Sequence, residues 1–327
     1  MNSHSMTTFG WLVKREYWES RRGFLWAPFW AAAAIIIITV LGIIAGEALR
    51  IRSGIGSTNM GIGLGDVLRS ADAHDMEQLV KVLDMTLLLF GFVVAVVLSF
   101  VVFFYLLGAL YDDRRDRSIL FWKSLPLSDA STVLSKVVAG ILVAPLISVA
   151  VVLAGYVMAQ VIMSLWLLAH GVNPLVMIWA HIEPYSVWLH LLVMIGVNAV
   201  WALPTVGWLL LWSAAVRSKP FLWAIIVPIV AGVLNIWVGL LGLPHIRQDF
   251  YWGEIAGRLL LSVIPGSWIA PNANDLGVHF RSPDDFAQIS YAAMGHAFTL
   301  PQMWIGAAVG VVLVAAAIWF RRWRDEA

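Results

Sequence analysis

Cysteine is absent from the 327 residues, which excludes disulfides and thiolate metal sites and leaves the redox compartment open. Charge is scarce as well. Asp, Glu, Lys and Arg make up 13% of the chain against 61% hydrophobic residues, and mean hydropathy is +0.83. A soluble domain carries about a quarter charged residues, so too little charge remains here to coat a core with a polar shell. Lipid is the solvent expected for most of the protein. The net charge of +1 sets up no field for nucleic acid, and none is expected as a partner. No GxxxxGK[ST] occurs, so no nucleotide is held by a P-loop in this chain. Gly56–Asp66, GSTNMGIGLGD, is rich in glycine but follows no strand and reads as a flexible loop.

What the chain has in quantity is long apolar runs. A helix needs about 20 apolar residues to cross a bilayer core of about 30 Å. Six segments reach that length: Phe24–Ala48, Met85–Leu110, Val133–Leu168, Val187–Val216, Phe221–Leu243 and Pro301–Phe320. The third and fourth exceed it and are expected to tilt or project. The expectation is an all-α polytopic membrane protein with six transmembrane helices in one domain, residues 1–327. Residues 1–23 form an N-terminal interfacial helix, 24–320 the bundle and 321–327 a basic tail. The start, MNSHSMTTFG, reads as a retained signal anchor rather than a cleaved peptide. With the N-terminus cytoplasmic, 14 of the 21 Lys and Arg and 8 of the 20 acidic residues fall inside. That bias predicts both termini in the cytoplasm.

Polar features then sort by side. Trp26, Trp30, Trp122, Trp188, Trp212, Trp304, Trp319 and Trp323 lie near span ends, where an indole favours the headgroup layer. In TTFGWLVKREYWESRR, the spacing of Phe9, Leu12, Val13 and Tyr17 predicts an amphipathic helix in the cytoplasmic interface. The outer segment Pro244–Leu300 contains FYWGEIAGRLLLSVIPGSWIA, in which Glu254 and Arg258 stand four apart as helical neighbours. Pro265 and Gly266 break it, so it reads as a re-entrant segment between the fifth and sixth spans. Seven histidines, His74, His170, His181, His190, His245, His279 and His296, fall on or near the outer side. Imidazole is a common zinc ligand, but no HExxH and no i, i+4 pair occurs, and no metal site is assigned. Asn198 and Asn235 lie within spans four and five, with Pro204 and Pro228 close by. They either hydrogen-bond between helices or line a polar translocation path. Glu47 and Asp84 sit near the outer ends of the first two spans.

The link between spans two and three is the least generic stretch. YDDRRDRSILFWKSLPLSDASTVLSK, Tyr111–Lys136, packs Asp112, Asp113, Arg114, Arg115, Asp116 and Arg117 before an apolar turn. Pro126 ends a short helix, Ser128 is placed to cap the next, and Asp129 suits that helix's first turn. Arg115–Ile119, Phe121–Ser128 and Ser135-Lys136 resemble the charged stretch, the "fwkSLPls" motif and the later "sK" of ABC-2 type exporter permeases. The N-terminal helix, the six spans and the outer re-entrant segment extend the resemblance along the chain. Arg117 stands where that family often has glycine.

The resemblance implies that the link is a cytoplasmic coupling helix, with Arg114, Arg115, Asp116, Arg117, Phe121, Trp122, Lys123 and Pro126 facing a separate ATPase subunit. Arg15 and Glu16 are the expected N-terminal contacts. Two ATPase copies, carrying ATP and Mg, and a second permease copy, most simply identical, would complete the exporter in a bacterial inner membrane. This chain itself would hold no cofactor. The cargo would be hydrophobic or amphipathic. Two other readings remain open: an intramembrane enzyme acting on lipid or peptide at the outer face, and a sensor or assembly subunit that moves nothing.

Overall fold

The computed structural model describes residues 3–53, 73–117, 122, 124, 127–175, 179, 184–273, 275–276 and 291–323. Among these, every regular element is a helix. Helix α1 (Ser3–Arg21) passes through a π turn, Arg22–Trp26, into α2 (Ala27–Ser53). Then come α3 (Ala73–Ala109), the short α4 (Tyr111–Arg115) and α5 (Asp129–Val138), which runs through a second π turn, Ala139–Val143, into α6 (Ala144–Ala169). α7 (Pro184–Trp201), α8 (Leu203–Ala215) and α9 (Pro220–Leu240) follow, and after a run of helical turns the chain closes with α10 (Tyr291–Ala297) and α11 (Pro301–Trp323).

Five helical stretches are long and apolar enough to cross a membrane: Met6–Leu49, Leu89–Arg115, Asp129–Ala169, Pro220–Leu240 and Pro301–Trp323. The pair α7–α8 makes a sixth if taken as one broken span. Among the described residues, an all-helical fold with five or six such helices is compatible with a multi-pass membrane protein.

Proline placement explains the irregular points. Pro28 and Pro145 cannot donate to the carbonyls four residues back. Each sits two residues past a π turn, which absorbs the lost bond without breaking the helix. α1, the expected N-terminal interfacial helix, is therefore continuous with the first apolar run. Met6–Leu49 has 44 residues, about 66 Å at 1.5 Å per residue, so α1 extends well beyond the apolar stretch. Its Leu12–Glu16 face packs on α5.

Pro204, at the start of α8, has the opposite effect. α7 and α8 meet at Ala202 with a 53° bend, so the expected long, tilted fourth span is a broken pair. Thr205 secures the bend: fully buried, it donates to the Arg258 carbonyl at 2.7 Å and accepts from the Ser262 amide at 3.1 Å. Pro228 within α9 leaves the Ala224 carbonyl without its helical donor. The Trp208 indole Nε1–H donates to that carbonyl at 2.9 Å, the kind of replacement a proline in an apolar helix requires.

Apolar burial divides along the bundle. Phe24, Val102, Leu106, Val133, Val206, Leu209, Leu210 and Ala317 form the main core where α3, α5, α8 and α11 converge. Phe90, Val94, Ala32 and Val152 join α2, α3 and α6. Trp201, Trp268, Met294 and Met303 form a third cluster under α7, α10 and α11. The closest helix crossing is α8 on α11, through Gly207 and Gly310. A Cβ on Gly207 would stand 2.5 Å from the Gly310 carbonyl oxygen, and one on Gly310 would press on the Leu203 backbone. Without a hydrophobic drive between helices in lipid, such small-residue contact is what lets dispersion hold two helices together.

Candidate functional site

At one end of the bundle α1, α3, α4, α5 and α11 meet around a chain of buried charges. Glu16 on α1 is 1% exposed. Its carboxylate receives the Tyr105 hydroxyl at 2.9 Å and the Lys136 ammonium at 3.2 Å. Lys136, 2% exposed, also reaches Asp113 Oδ2 at 3.4 Å. Asp113 is shared with Arg321, whose Nη1 lies at 3.3 Å and whose Nε donates to Asp129 Oδ1 at 3.1 Å. At the other end, Arg15 pairs with Glu16 and Glu19 and lays its guanidinium 3.8 Å above the Trp122 ring centroid.

Local sequence places these groups. Ser128 caps α5, accepting the Ser131 amide at 3.1 Å, and this turns Asp129 toward the last turn of α11. Asp129 sits at the positive end of α5 and Arg321 at the negative end of α11, so each also complements a helix dipole. Burying ions costs several kcal/mol apiece unless each is paired. Here each buried charge has an opposite partner within 3.4 Å.

The expected link residues separate into two groups. Arg114 is held inward: its Nη2 donates to the Ser213 and Val216 carbonyls, closing the C-terminus of α8. The Ser213 hydroxyl in turn accepts the Leu110 and Tyr111 amides at 2.9 and 3.0 Å. The start of the link is thus pinned to α8. Arg115 and Asp116, 58% and 61% exposed, pair with one another at the surface. Arg117 takes a left-handed conformation, φ +56°, which an L-residue adopts at a cost and glycine does not. Phe121, Lys123 and Pro126 lie outside the described residues. Glu16, the other expected N-terminal contact, is 1% exposed, with the Lys136 ammonium and the Tyr105 hydroxyl on its carboxylate.

The two asparagines differ in their hydrogen bonding. Asn235 clamps the chain that leaves α9, donating to the Ile246 carbonyl at 2.8 Å and accepting its amide at 3.0 Å. Asn198 is half-buried on α7, its carbonyl oxygen without a hydrogen-bond partner among the described residues. Glu254 and Arg258 make no ion pair. Tyr251–Gly257 winds as a π turn, which takes positions four apart out of register. Arg258, 8% exposed, stacks 3.8 Å above the Trp201 ring and donates to the Gln302 carbonyl; burial lowers its pKa and Glu254 opposes that shift. At the surface the Arg247 guanidinium holds the Asp249 carboxyl below its ordinary value.

Glu47 at the end of α2 lies 3.1 Å from His170 Nε2 at the end of α6. Asp84, and the side chains of His74, His181 and His279, lie outside the described ones. Among the described residues no group of three or more His, Asp or Glu could hold a metal ion. Trp26, Trp30, Trp304, Trp319 and Trp323 are exposed, as expected of rings at a lipid boundary, whereas Trp212 stacks on Trp223.

Sequence reasoning missed the Glu16–Lys136–Asp113–Arg321–Asp129 chain as a unit. Its members were visible only as charges at the inner ends of separate apolar runs; that opposite signs stood at neighbouring ends was the one available signal. What the chain of charges can do is tie the link to α1 and α11. No protein-family model, curated protein or solved structure matches the chain.

Proposed function

We propose that this chain is the transmembrane subunit of an ABC-2 type exporter that moves a hydrophobic or amphipathic molecule outward across a bacterial inner membrane. Both termini then lie in the cytoplasm, Tyr111–Lys136 is the coupling link, and Phe250–Ala270 is the outer re-entrant segment. Two copies of the chain pair with two copies of an ATPase, which supplies the ATP and Mg site. The exposed Arg115, Asp116 and Arg117 offer the docking surface, and α1 runs beside it.

One observation carries the reading. Link residues Trp122, Lys136, Asp113 and Asp129 are bound to Arg15 and Glu16 of α1 and to Arg321 of α11. A surface loop with no mechanical role would have no reason to be bound to the bundle by buried ions, whose desolvation makes them a poor source of net stability. They do impose one defined geometry, and a lever needs that.

The test is purification of the tagged chain from its own host, followed by ATPase measurement in vesicles. The expected outcome is a co-purifying P-loop ATPase whose turnover collapses when Asp116, Arg117 and Trp122 are replaced together by alanine. Assembly and ATP hydrolysis at the parental rate in that triple variant would overturn the coupling role.

A further inference from the structure

Arg258 opens the helical turn Arg258–Leu261, whose first carbonyl is tied by Thr205 to the bend between α7 and α8. Its guanidinium is buried between two surfaces. One face stacks 3.8 Å above the Trp201 ring. On α11, a Cβ at Gly306 would stand 2.2 Å from Nη2, so only glycine there admits the group. Nη1 donates to the Gln302 carbonyl. Nε and Nη2 have no hydrogen-bond partner among the described residues, although the side chain as a whole is buried.

Those two nitrogens form one recognition edge. Nε–H and the neighbouring Nη2–H are the parallel, side-on donors of a guanidinium, spaced to meet two oxygens of one carboxylate or phosphate. Glu254 is near enough for its charge to act on Arg258, but the π turn Tyr251–Gly257 keeps it out of helical register and the two make no ion pair. A buried cation without a counter-ion is costly, so an anion reaching this edge gains both hydrogen bonds and charge pairing. The neighbours set the rest of the ligand. Trp201 packs in a buried cluster with Val197, Trp268 and Met303, and Trp304 and Ile305, beside Gly306, are exposed on α11. These side chains suit a hydrocarbon tail.

We propose that Arg258 holds the carboxylate or phosphate head of an anionic amphiphile through Nε–H and Nη2–H, with the guanidinium backed by Trp201. The described state is closed, because both donor nitrogens are out of reach of solvent. Entry moves the guanidinium off Gly306, and two charge-assisted hydrogen bonds replace the one to Gln302. Binding needs only this chain. Its use as a cargo site rests on the exporter reading, and the two fail separately.

The experiment titrates the full chain in an uncharged detergent with hexanoate and, separately, hexyl phosphate, read by calorimetry. Hexanol and hexylammonium are the neutral and cationic comparators; acetate and inorganic phosphate are the anions without a tail. Both anionic amphiphiles should bind saturably, the tail-free anions more weakly, and the comparators not at all. With arginine nitrogens isotope-labelled in the parent chain, a single Nε–H resonance should move downfield on saturation, a readout that needs no variant to fold. Arg258→Lys keeps the charge but loses the side-on edge, and should weaken binding about tenfold or more. Glu254→Gln removes a competing carboxylate and should bind at least as tightly as the parent. Hexanol binding like hexanoate, acetate binding as tightly as hexanoate, an unmoved arginine resonance, or unchanged affinity in Arg258→Lys would each overturn the proposal. Binding intact in a chain that brings down no ATPase would count against the exporter reading alone.

Discussion

Replacing Lys136 with Met tests whether the inner charge chain works as a unit. The ammonium is 2% exposed and lies within 3.4 Å of both Glu16 and Asp113. Met fills a similar volume, so little packing is lost. What changes is that Glu16 keeps only Arg15 and the Tyr105 hydroxyl, and Asp113 keeps Arg321. Removing one partner of a buried pair costs about 3–5 kcal/mol, because an uncompensated charge stays in the interior. At about 2 °C per kcal/mol, the low end for larger domains, the unfolding midpoint in detergent should fall by roughly 6–10 °C. The double variant Glu16→Gln with Lys136→Met removes both charges and should recover more than half of that loss, since a matched neutral pair no longer strands an ion. The assay is intrinsic tryptophan fluorescence on heating, at one scan rate for all variants because membrane-protein unfolding is commonly irreversible. A Lys136→Met midpoint within 2 °C of the parent, or a double variant no better than the single, would refute the reasoning.

Arg117→Gly should raise stability by about 1 kcal/mol, because the left-handed position costs an L-residue about that much; a lower unfolding midpoint would show that the Arg117 side chain contributes more than its backbone strain removes. Gly310→Leu should separate α8 from α11 and lose the folded monomer on size-exclusion chromatography, whereas Gly10→Ala, which meets nothing within 4 Å, should behave as the parent. Asn235→Leu should free the segment that follows α9, costing about 0.5–1.5 kcal/mol for each exposed hydrogen bond to Ile246 that is lost. Faster amide exchange at Leu243–Arg247, with α9 itself unchanged, is the measurement that checks it.

Much of this protein could be read from residue order, because its solvent is written into composition. Apolar runs of 20 or more residues can be satisfied in lipid only as helices, and each expected run corresponds to a helix or, in one case, to a bent pair. Ser128 as a cap and the tryptophans at span ends were likewise local matters of spacing. Continuity was not legible. Whether Pro28 breaks a helix or is absorbed by a π turn depends on what the neighbouring helices can hold in place, and the same chemistry at Pro204 gave a 53° bend.

The charge chain lay further out of reach. Glu16 and Lys136 are 120 residues apart, and Asp113 and Arg321 are separated by 208. An ionisable residue at a helix end looks the same in sequence whether it faces water or a neighbouring helix. The sequence alone determined that the chain is helical and apolar, and where its apolar runs lie. Only the tertiary structure decided which end charges were buried against one another, because that follows from helix packing across the whole chain and not from the spacing within any one segment.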